Sequence, residues 1–130
     1  PADMQVKPTY KNVVLDVVKT LSKKIALARS KGVIDIIIDP GFGFGKSINH
    51  NYNLLNNLDF FKELGCPILV GISRKSMIYK VLDTDPKNSL NGTTSLNTVS
   101  LLKGANILRV HDVKEANEVV KLVDFLGSNS

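Results

Sequence analysis

The sequence predicts an α/β fold in which parallel strands alternate with helices. Three apolar runs, each too short for a helix, are separated by segments whose apolar residues have helical spacing. Each run leads into a polar motif, and these motifs recur about 35 residues apart, which is the length of one βα unit. The 130 residues are therefore predicted to form one helix followed by three βα units.

The first predicted helix covers residues 10–30, where apolar side chains recur along one face and Gly32 supplies the stop. Residues 33–38 follow as a β-branched run that is apolar on both faces. This pattern is typical of a buried parallel strand. Helical spacing resumes over residues 54–64, and Gly65 is the expected C-terminal stop of this second helix.

The second predicted strand covers residues 67–72. A short apolar segment at residues 77–82 and a turn-rich stretch at residues 83–91 separate it from a third helix, which ends at Gly104. Residues 106–110 form the third predicted strand.

The last predicted helix covers residues 113–126, where apolar side chains again line one face. Asp112 and Glu115 have the spacing of a capping box at its start. We therefore expect the Asp112 side chain to accept backbone hydrogen bonds at this helix end.

The composition is that of a soluble globular protein, with 43% hydrophobic and 22% charged residues. No apolar run reaches the roughly 20 residues of a membrane helix, and no signal peptide is recognisable, so a cytoplasmic protein is expected. The net charge of +5 includes lysines spread along one helix without aromatic interleaving, which argues against nucleic-acid binding. The single cysteine, Cys66, is expected to be a buried thiol without chemistry.

The first polar motif, DPGFGFGK at residues 39–46, contains three glycines that alternate with two phenylalanines. Such glycines let the backbone approach a ligand closely while aromatic faces line a pocket. The motif is not a Walker A loop, because Pro40 stands where that loop requires glycine. Asp39 is suited to accept two parallel N–H bonds from a planar heterocycle, with a turn or helix-capping role as the alternative.

The second motif, SRKS at residues 73–76, places two cations directly after an apolar strand. Two cations beside a sheet end repel each other unless a group of opposite charge or high electron density lies near them. We therefore expect an anionic or electron-rich ligand here, with ordinary surface exposure as the alternative.

The third motif, RVHD at residues 109–112, puts Arg109 and His111 on the same side of a strand end. Both precede the last helix, whose free N–H groups and dipole favour phosphate. The pair is therefore predicted to bind one anion. Taken singly, His111 is equally well explained by a structural role, and Asp112 is better explained as a helix cap than as a catalyst.

Together the three motifs, DPGFGFGKS, GISRKSM and GANILRVHDV, resemble in order and spacing the last three βα units of the dihydropteroate synthase family. The resemblance extends from Met4 and Gln5 to the final helix. It implies the C-terminal part of a (βα)8 TIM barrel, about half of the barrel, with three parallel strands and flanking helices. Residues 1–130 are then expected to be a single partial pterin-binding domain whose N-terminal half is absent.

The resemblance implies a step of folate biosynthesis in which p-aminobenzoate displaces pyrophosphate from a dihydropterin that carries a methylene diphosphate. By similarity, Asp39, Lys75 and Arg109 would bind the pterin. Arg109 and His111 would bind the pyrophosphate. Lys75, Arg109 and His111 would form the catalytic set.

Phe44, Lys75 and Ser76 would border the p-aminobenzoate pocket, where sulfonamide drugs compete. The resemblance also implies Mg²⁺ in the full enzyme, with its ligands outside this chain and no metal ligand within it. A homodimer through the C-terminal helices is expected, with no nucleic-acid or membrane partner. The isolated chain is expected to lack turnover.

Two other interpretations stay open. The pterin-binding domain of a corrinoid-dependent methyltransferase shares this barrel and the pterin-holding acid, but the SRKS loop and the R-x-H ending fit the synthase better. A non-catalytic fragment, whose unpaired sheet edges drive association, is the third interpretation.

Overall fold

The computed structural model describes residues 10–129, so Met4 and Gln5 lie outside the described part of the chain. Within that part, five α-helices, α1 to α5 in chain order, cover Tyr10–Ser30, Ile48–Asn56, Ser76–Tyr79, Leu90–Leu102 and Val113–Gly127. Two short strands, β1 and β2, cover Leu69–Val70 and Ile107–Leu108, and two 3₁₀ helices cover Leu58–Leu64 and Pro86–Asn88. The elements follow one another in the predicted order, except that the first predicted strand is reduced to the single bridge residue Ile38.

Helix α1 has the bounds that the sequence predicted. Val14 and Ile25 on its apolar face are buried. Gly32 has a φ of 89°, and the N–H of Val33 donates to the carbonyl of Ala28, which closes the helix in the manner of a Schellman motif. The glycine stop predicted from the sequence is therefore confirmed.

The strands lie side by side in chain order, and all of them are parallel. Ile38 bridges Ile68, and β1 pairs with β2 with Leu69 opposite Ile107. The parallel arrangement is confirmed, although each strand is shorter than the sequence predicted. The carboxyl ends of all three segments consequently lie at one edge of the sheet.

The predicted burial of the first strand, residues 33–38, is wrong for most of its length. Ile38 is buried, but Ile34 is 86% exposed and Ile37 is 55% exposed. Within residues 33–38, Ile38 is the residue for which a strand contact is seen, and its N–H donates to the carbonyl of Pro67 over 2.9 Å. A parallel strand is buried on both faces only when neighbouring elements cover both faces, and here this segment has a neighbour along one edge.

The second predicted helix, residues 54–64, is divided in two. Helix α2 starts earlier, where Ser47 accepts a hydrogen bond from the N–H of His50, and it gives way at Asn57 to the 3₁₀ helix. Asn57 leaves helical geometry with φ −113° and ψ 23°, so the hydrogen-bond ladder changes its period there. Gly65 ends the 3₁₀ helix in the left-handed region with φ 70°, as expected of a stop.

The later helices agree more closely with the sequence. The apolar segment at residues 77–82 begins as α3, and the turn-rich stretch contains the 3₁₀ helix Pro86–Asn88. Helix α4 is followed by Gly104, whose φ is 111°. Helix α5 starts at the predicted residue. The predicted capping box is wrong, because the Asp112 side chain makes no capping hydrogen bond.

One apolar core lies between the sheet and the helices. Cys66 is buried as expected. No helix in the described part of the chain is long and apolar enough to span a bilayer. The largest apolar side chains that are fully buried are Phe42, Leu54, Leu58, Phe61, Ile68, Val70, Ile72, Met77 and Ile78.

Candidate functional site

The three polar motifs meet at the carboxyl edge of the sheet. Parallel α/β folds bind ligands at this edge, because the loops that follow the strands converge there. A recess of about 130 Å³ opens between the second and third motifs. Its lining consists of Gly71, Ser73, Lys75, Arg109, Val110 and His111. The structure therefore brings Lys75, Arg109 and His111 together, whereas Asp39, Phe44 and Ser76 lie outside this recess.

The glycine-rich motif forms a loop whose backbone is hydrogen-bonded to the buried side chain of Asn51. Gly41, Gly43 and Gly45 all have positive φ, from 66° to 88°. The Asn51 side chain is 2% exposed, and its Oδ1 accepts the N–H of Gly43 over 2.8 Å. Its Nδ2 donates to the carbonyl of Ser47 over 3.0 Å. Sequence reasoning missed Asn51, because nothing local distinguishes it from the other asparagines of α2.

Asp39 has the turn role that the sequence offered as one of two alternatives, and its second carboxylate oxygen faces Arg109. Its Oδ1 accepts the N–H of Gly41 over 2.8 Å, which is the bond of a turn aspartate. Its Oδ2 lies 3.5 Å from Nη1 of Arg109, across the sheet edge. One carboxylate oxygen thus shapes the loop, and the other faces the cation of the third motif.

Lys75 spans the distance from its own loop to the glycine-rich loop. Its Nζ donates to the carbonyl of Phe42 over 2.6 Å and lies 4.9 Å from the centroid of the Phe44 ring. Burial lowers the pKa of Lys75, and repulsion from Arg109 lowers it further, while Asp39 acts in the opposite direction. The Lys75 ammonium group therefore loses its proton more readily than that of a solvated lysine.

A second partly buried cation, Lys46, belongs to the glycine-rich loop itself. Its Nζ donates to the carbonyl of Gly41 over 2.6 Å. Burial lowers the pKa of Lys46, and attraction to Asp39 opposes that shift. This lysine, too, was missed by sequence reasoning, which considered it only as the ending of a rejected Walker A loop.

Phe44 and Ser76 are the two remaining predicted site residues. The Phe44 side chain is 71% exposed, so its ring is available to a ligand except where the Lys75 ammonium lies against it. Ser76 is the first residue of α3 and is half-buried. An exposed aromatic ring thus lies next to the Lys75 ammonium, and Ser76 directly follows Lys75 at the start of α3.

Arg109 lies across Gly71, which stands two residues before the second motif. A Cβ atom added to Gly71 would collide with Nη2 of Arg109 and would lie 2.8 Å from its Cζ and 2.9 Å from its Nε. The guanidinium therefore packs flat against bare backbone and keeps its outer side exposed. The sequence offers a signal here, since glycine is otherwise unfavourable in a strand.

His111 is held by Ser73, which is 5% exposed. Ser73 Oγ lies 2.7 Å from Nδ1 of His111 and accepts the backbone N–H of the same residue over 3.2 Å. Ser73 was not among the predicted site residues. Its place directly after an apolar strand gave no indication that it would contact His111.

Arg74 and Asp112 form an ion pair in which Arg74 donates through Nε and Nη2 to both carboxylate oxygens. The hydrogen bond from Arg74 lowers the pKa of Asp112, and Asp112 raises the pKa of Arg74. The expectation that both cations of the SRKS motif await a ligand is therefore wrong for Arg74. Its charge is already compensated within the protein, and Lys75 is the cation that remains.

The described residues include no group of three or more His, Cys, Asp or Glu side chains that could hold a metal ion.

Comparisons with known proteins place the chain among pterin-binding proteins. The family described as "Pterin binding enzyme" matches residues 1–111. The dihydropteroate synthase of Haemophilus influenzae is 45% identical over 124 residues, which is 94% of this chain and 45% of that protein. The Escherichia coli K12 dihydropteroate synthase is 40% identical over 126 residues, again covering 45% of its length.

Solved structures agree with these relatives. A dihydropteroate synthase from Coxiella burnetii in complex with pteroic acid superposes with a TM-score of 0.91 at 38% identity, covering 96% of this chain and 47% of that one. The Yersinia pestis enzyme in a sulfonamide drug complex gives 0.90 at 35% identity, covering 98% and 47%. The chain thus spans about half the length of the relatives it matches, and the resemblance inferred from three motifs is confirmed.

Proposed function

This chain belongs to the family of pterin binding enzymes and has the fold of part of a (βα)8 TIM barrel. We propose that it forms part of a dihydropteroate synthase of folate biosynthesis. The proposed reaction condenses p-aminobenzoate with a dihydropterin that carries a methylene diphosphate. The arylamine nitrogen forms a bond to the methylene carbon and loses a proton, and the C–O bond breaks with its electron pair staying on the pyrophosphate. The convergence of Lys75, Arg109 and His111 in one recess is the observation that supports this proposal.

The pterin is proposed to bind among the three motifs, through Asp39, Lys75 and Arg109. Asp39 has a carboxylate oxygen 3.5 Å from Arg109 and can accept N–H bonds from the amino-pyrimidine edge of the ring. Lys75 can donate to ring oxygen and nitrogen atoms, in place of the Phe42 carbonyl that it contacts here. The flat guanidinium of Arg109 suits the face of the ring.

The pyrophosphate is proposed to bind Arg109 and His111. Negative charge develops on the leaving group as the C–O bond breaks, and fixed donors that match this charge lower the barrier. Arg109 supplies a permanent positive charge, and the ring of His111 supplies a further N–H donor. The N-terminus of α5, which begins at Val113, adds its dipole.

The p-aminobenzoate is proposed to bind the surface formed by Phe44, Lys75 and Ser76. Its ring would stack against the exposed Phe44 side chain, and Lys75 and Ser76 would provide polar contacts. Sulfonamides that mimic p-aminobenzoate would then compete at this surface. A corrinoid-dependent methyltransferase has no need of such a surface, which favours the synthase.

A complete barrel is needed for turnover on this proposal. A (βα)8 barrel takes roughly 250 residues, and this chain aligns with less than half of its curated bacterial relatives. We therefore propose that the 130-residue chain alone binds ligands weakly and does not catalyse the reaction. Mg²⁺ bound by residues outside this chain and a cytoplasmic location stay predictions.

A homodimer through the C-terminal helices is also proposed. Leu122, Phe125 and Leu126 are exposed on neighbouring positions of α5. A patch of this kind is typical of an interface. Light scattering after size-exclusion chromatography is expected to report a dimer that Phe125→Glu converts to a monomer, and a monodisperse monomer at high concentration would contradict the proposal.

Calorimetric titration tests the proposed function directly, with a pterin and with inorganic pyrophosphate as separate ligands. Arg109→Ala removes a charged hydrogen-bond donor and is expected to weaken pyrophosphate binding by about tenfold or more. Asp39→Ala is expected to weaken pterin binding by about the same factor and to leave pyrophosphate binding nearly unchanged.

Lys121→Ala is the matched control for Arg109→Ala, since it removes one positive charge from an exposed position of α5. It is expected to bind both ligands as the unaltered chain does. If the unaltered chain is folded by circular dichroism and binds neither ligand, the proposal that this chain alone binds them is wrong, and the residue roles have to be tested in a complete barrel.

A further inference from the structure

The Ser73 hydroxyl contacts two different groups of His111. Ser73 is almost fully buried in the loop after β1, and its Oγ lies 2.7 Å from Nδ1 of the ring and 3.2 Å from the backbone nitrogen. Because both contacts go to one residue, a single hydroxyl fixes the backbone and the ring of His111 together. This arrangement constrains where the hydrogens lie.

Hydrogen-bond accounting selects one arrangement. The backbone N–H of His111 can only donate, so Ser73 Oγ accepts from it. If Nδ1 also carried a hydrogen and donated, Oγ would accept twice and its own hydrogen would need another acceptor. No other contact of Ser73 Oγ is present in the described part of the chain, and a buried hydroxyl hydrogen without an acceptor is unfavourable.

We propose that Ser73 is a positioning residue that sets the tautomer of His111, with the Ser73 hydroxyl donating to Nδ1 and the ring hydrogen on Nε2. This inference rests on the proposed function only for the identity of the anion. Nε2 has no hydrogen-bond partner among residues 10–129, and the ring borders the recess that Arg109 also lines. In this tautomer His111 offers its N–H to the recess, where it can donate to a phosphate oxygen beside the Arg109 guanidinium.

The opposite tautomer would serve the proposed reaction poorly. With the hydrogen on Nδ1, the free nitrogen would present a lone pair to the oxygens of a phosphate, and the contact would be repulsive. Ser73 therefore acts through His111 and not on the substrate. A hydroxyl that merely filled space would leave His111 with the tautomer mixture of a free imidazole, in which the Nε2–H form predominates but the Nδ1–H form is also populated.

Ring ¹⁵N chemical shifts measure the tautomer in the full 130-residue chain. The chain has two histidines, and a His50→Gln variant assigns their signals. At alkaline pH, where an imidazole is neutral, His111 is expected to show a protonated Nε2 and an unprotonated Nδ1. In Ser73→Ala the two shifts are expected to move toward each other, and Ser73→Thr is expected to restore the original pattern because it keeps the hydroxyl.

A His111 ring with its hydrogen on Nδ1 in the unaltered chain would overturn the inference, whatever the variants do. Unchanged shifts in a folded Ser73→Ala chain would also overturn it. If Ser73→Ala does not fold, a ring hydrogen on Nδ1 in the unaltered chain or in Ser73→Thr still overturns the inference. Addition of inorganic pyrophosphate tests the proposed function separately, since a fixed Nε2–H tautomer that does not respond to pyrophosphate would contradict only the anion-binding role.

Discussion

The guanidinium of Arg74 donates two parallel hydrogen bonds to the carboxylate of Asp112, Nε to Oδ2 over 3.0 Å and Nη2 to Oδ1 over 2.8 Å. The remaining nitrogen, Nη1, donates to the carbonyls of Pro86 and Lys87 over 2.7 and 3.0 Å. One side chain thus joins the loop after β1, the loop after β2 and the turn before α4. The ion pair therefore links the second motif to the third, and these two motifs line the recess.

Replacement of Arg74 by lysine is expected to lower the free energy of unfolding, although the charge is kept. A lysine ammonium cannot form the parallel pair of bonds and reach both carbonyls at once. Asp112→Asn is expected to have a similar effect, and the double variant is expected to be no less stable than the worse single variant. Urea unfolding of all four proteins provides the measurement as a double-mutant cycle. Fully additive effects would show that the two side chains act independently.

The Arg74–Asp112 pair also predicts a dependence of stability on acid pH. The pKa of Asp112 is lowered in the folded protein below its ordinary value of 3.8, so the folded state favours the ionised carboxylate. The stabilisation is therefore complete above pH 3.8 and is lost as the pH falls through the lower folded value. Asp112→Asn is expected to flatten this part of the stability profile. Asp16→Asn, at an exposed position of α1, is the control and is expected to keep the profile of the unaltered chain.

Gly71→Ala is expected to displace the Arg109 side chain and to leave the fold intact. The added Cβ collides with the end of a flexible side chain and not with backbone, so Arg109 can move away. Pyrophosphate binding is expected to weaken by about tenfold, with a change of less than about 1 kcal/mol in the free energy of unfolding. Calorimetry and urea unfolding measure the two quantities. Gly127→Ala is the matched control, because a Cβ there meets nothing within 4 Å.

Loss of the Asn51 side chain is expected to destabilise the glycine-rich loop. Asn51→Ala leaves the N–H of Gly43 and the carbonyl of Ser47 without their side-chain partner. Removal of a buried hydrogen-bonding group costs about 1 to 3 kcal/mol, and urea unfolding measures it. Asn49→Ala, at an exposed position of the same helix, is the control. Equal stability of the two variants would contradict the role assigned to Asn51.

Lys75 is expected to titrate below an ordinary lysine, whose value is 10.5. Burial is the larger cause of the lowered pKa and repulsion from Arg109 is the second. Arg109→Gln removes only the second cause, so the pKa of Lys75 is expected to rise without reaching its ordinary value. Nuclear magnetic resonance of ¹³C-labelled lysine side chains follows the titration, and a pKa of Lys75 that falls in Arg109→Gln would refute the assigned cause.

The sequence alone specified the order of the elements and the places of the three motifs. The bounds of α1 and the left-handed stops at Gly32 and Gly65 follow from signals that act over a few residues. The same local rules located Asp39, Lys75, Arg109 and His111 at strand ends. Because parallel strands end at one edge, their convergence could be expected before any coordinates were known.

Only the tertiary structure decided which side chains are paired and which stay open to a ligand. Asp112 has the spacing of a helix cap, yet it binds Arg74, and Ser73 binds His111, in both cases across 38 residues of sequence. Ile34 and Ile37 have the pattern of a buried strand and are exposed. Periodicity and end signals are local properties, whereas pairing and burial depend on what lies opposite a residue after distant segments have come together.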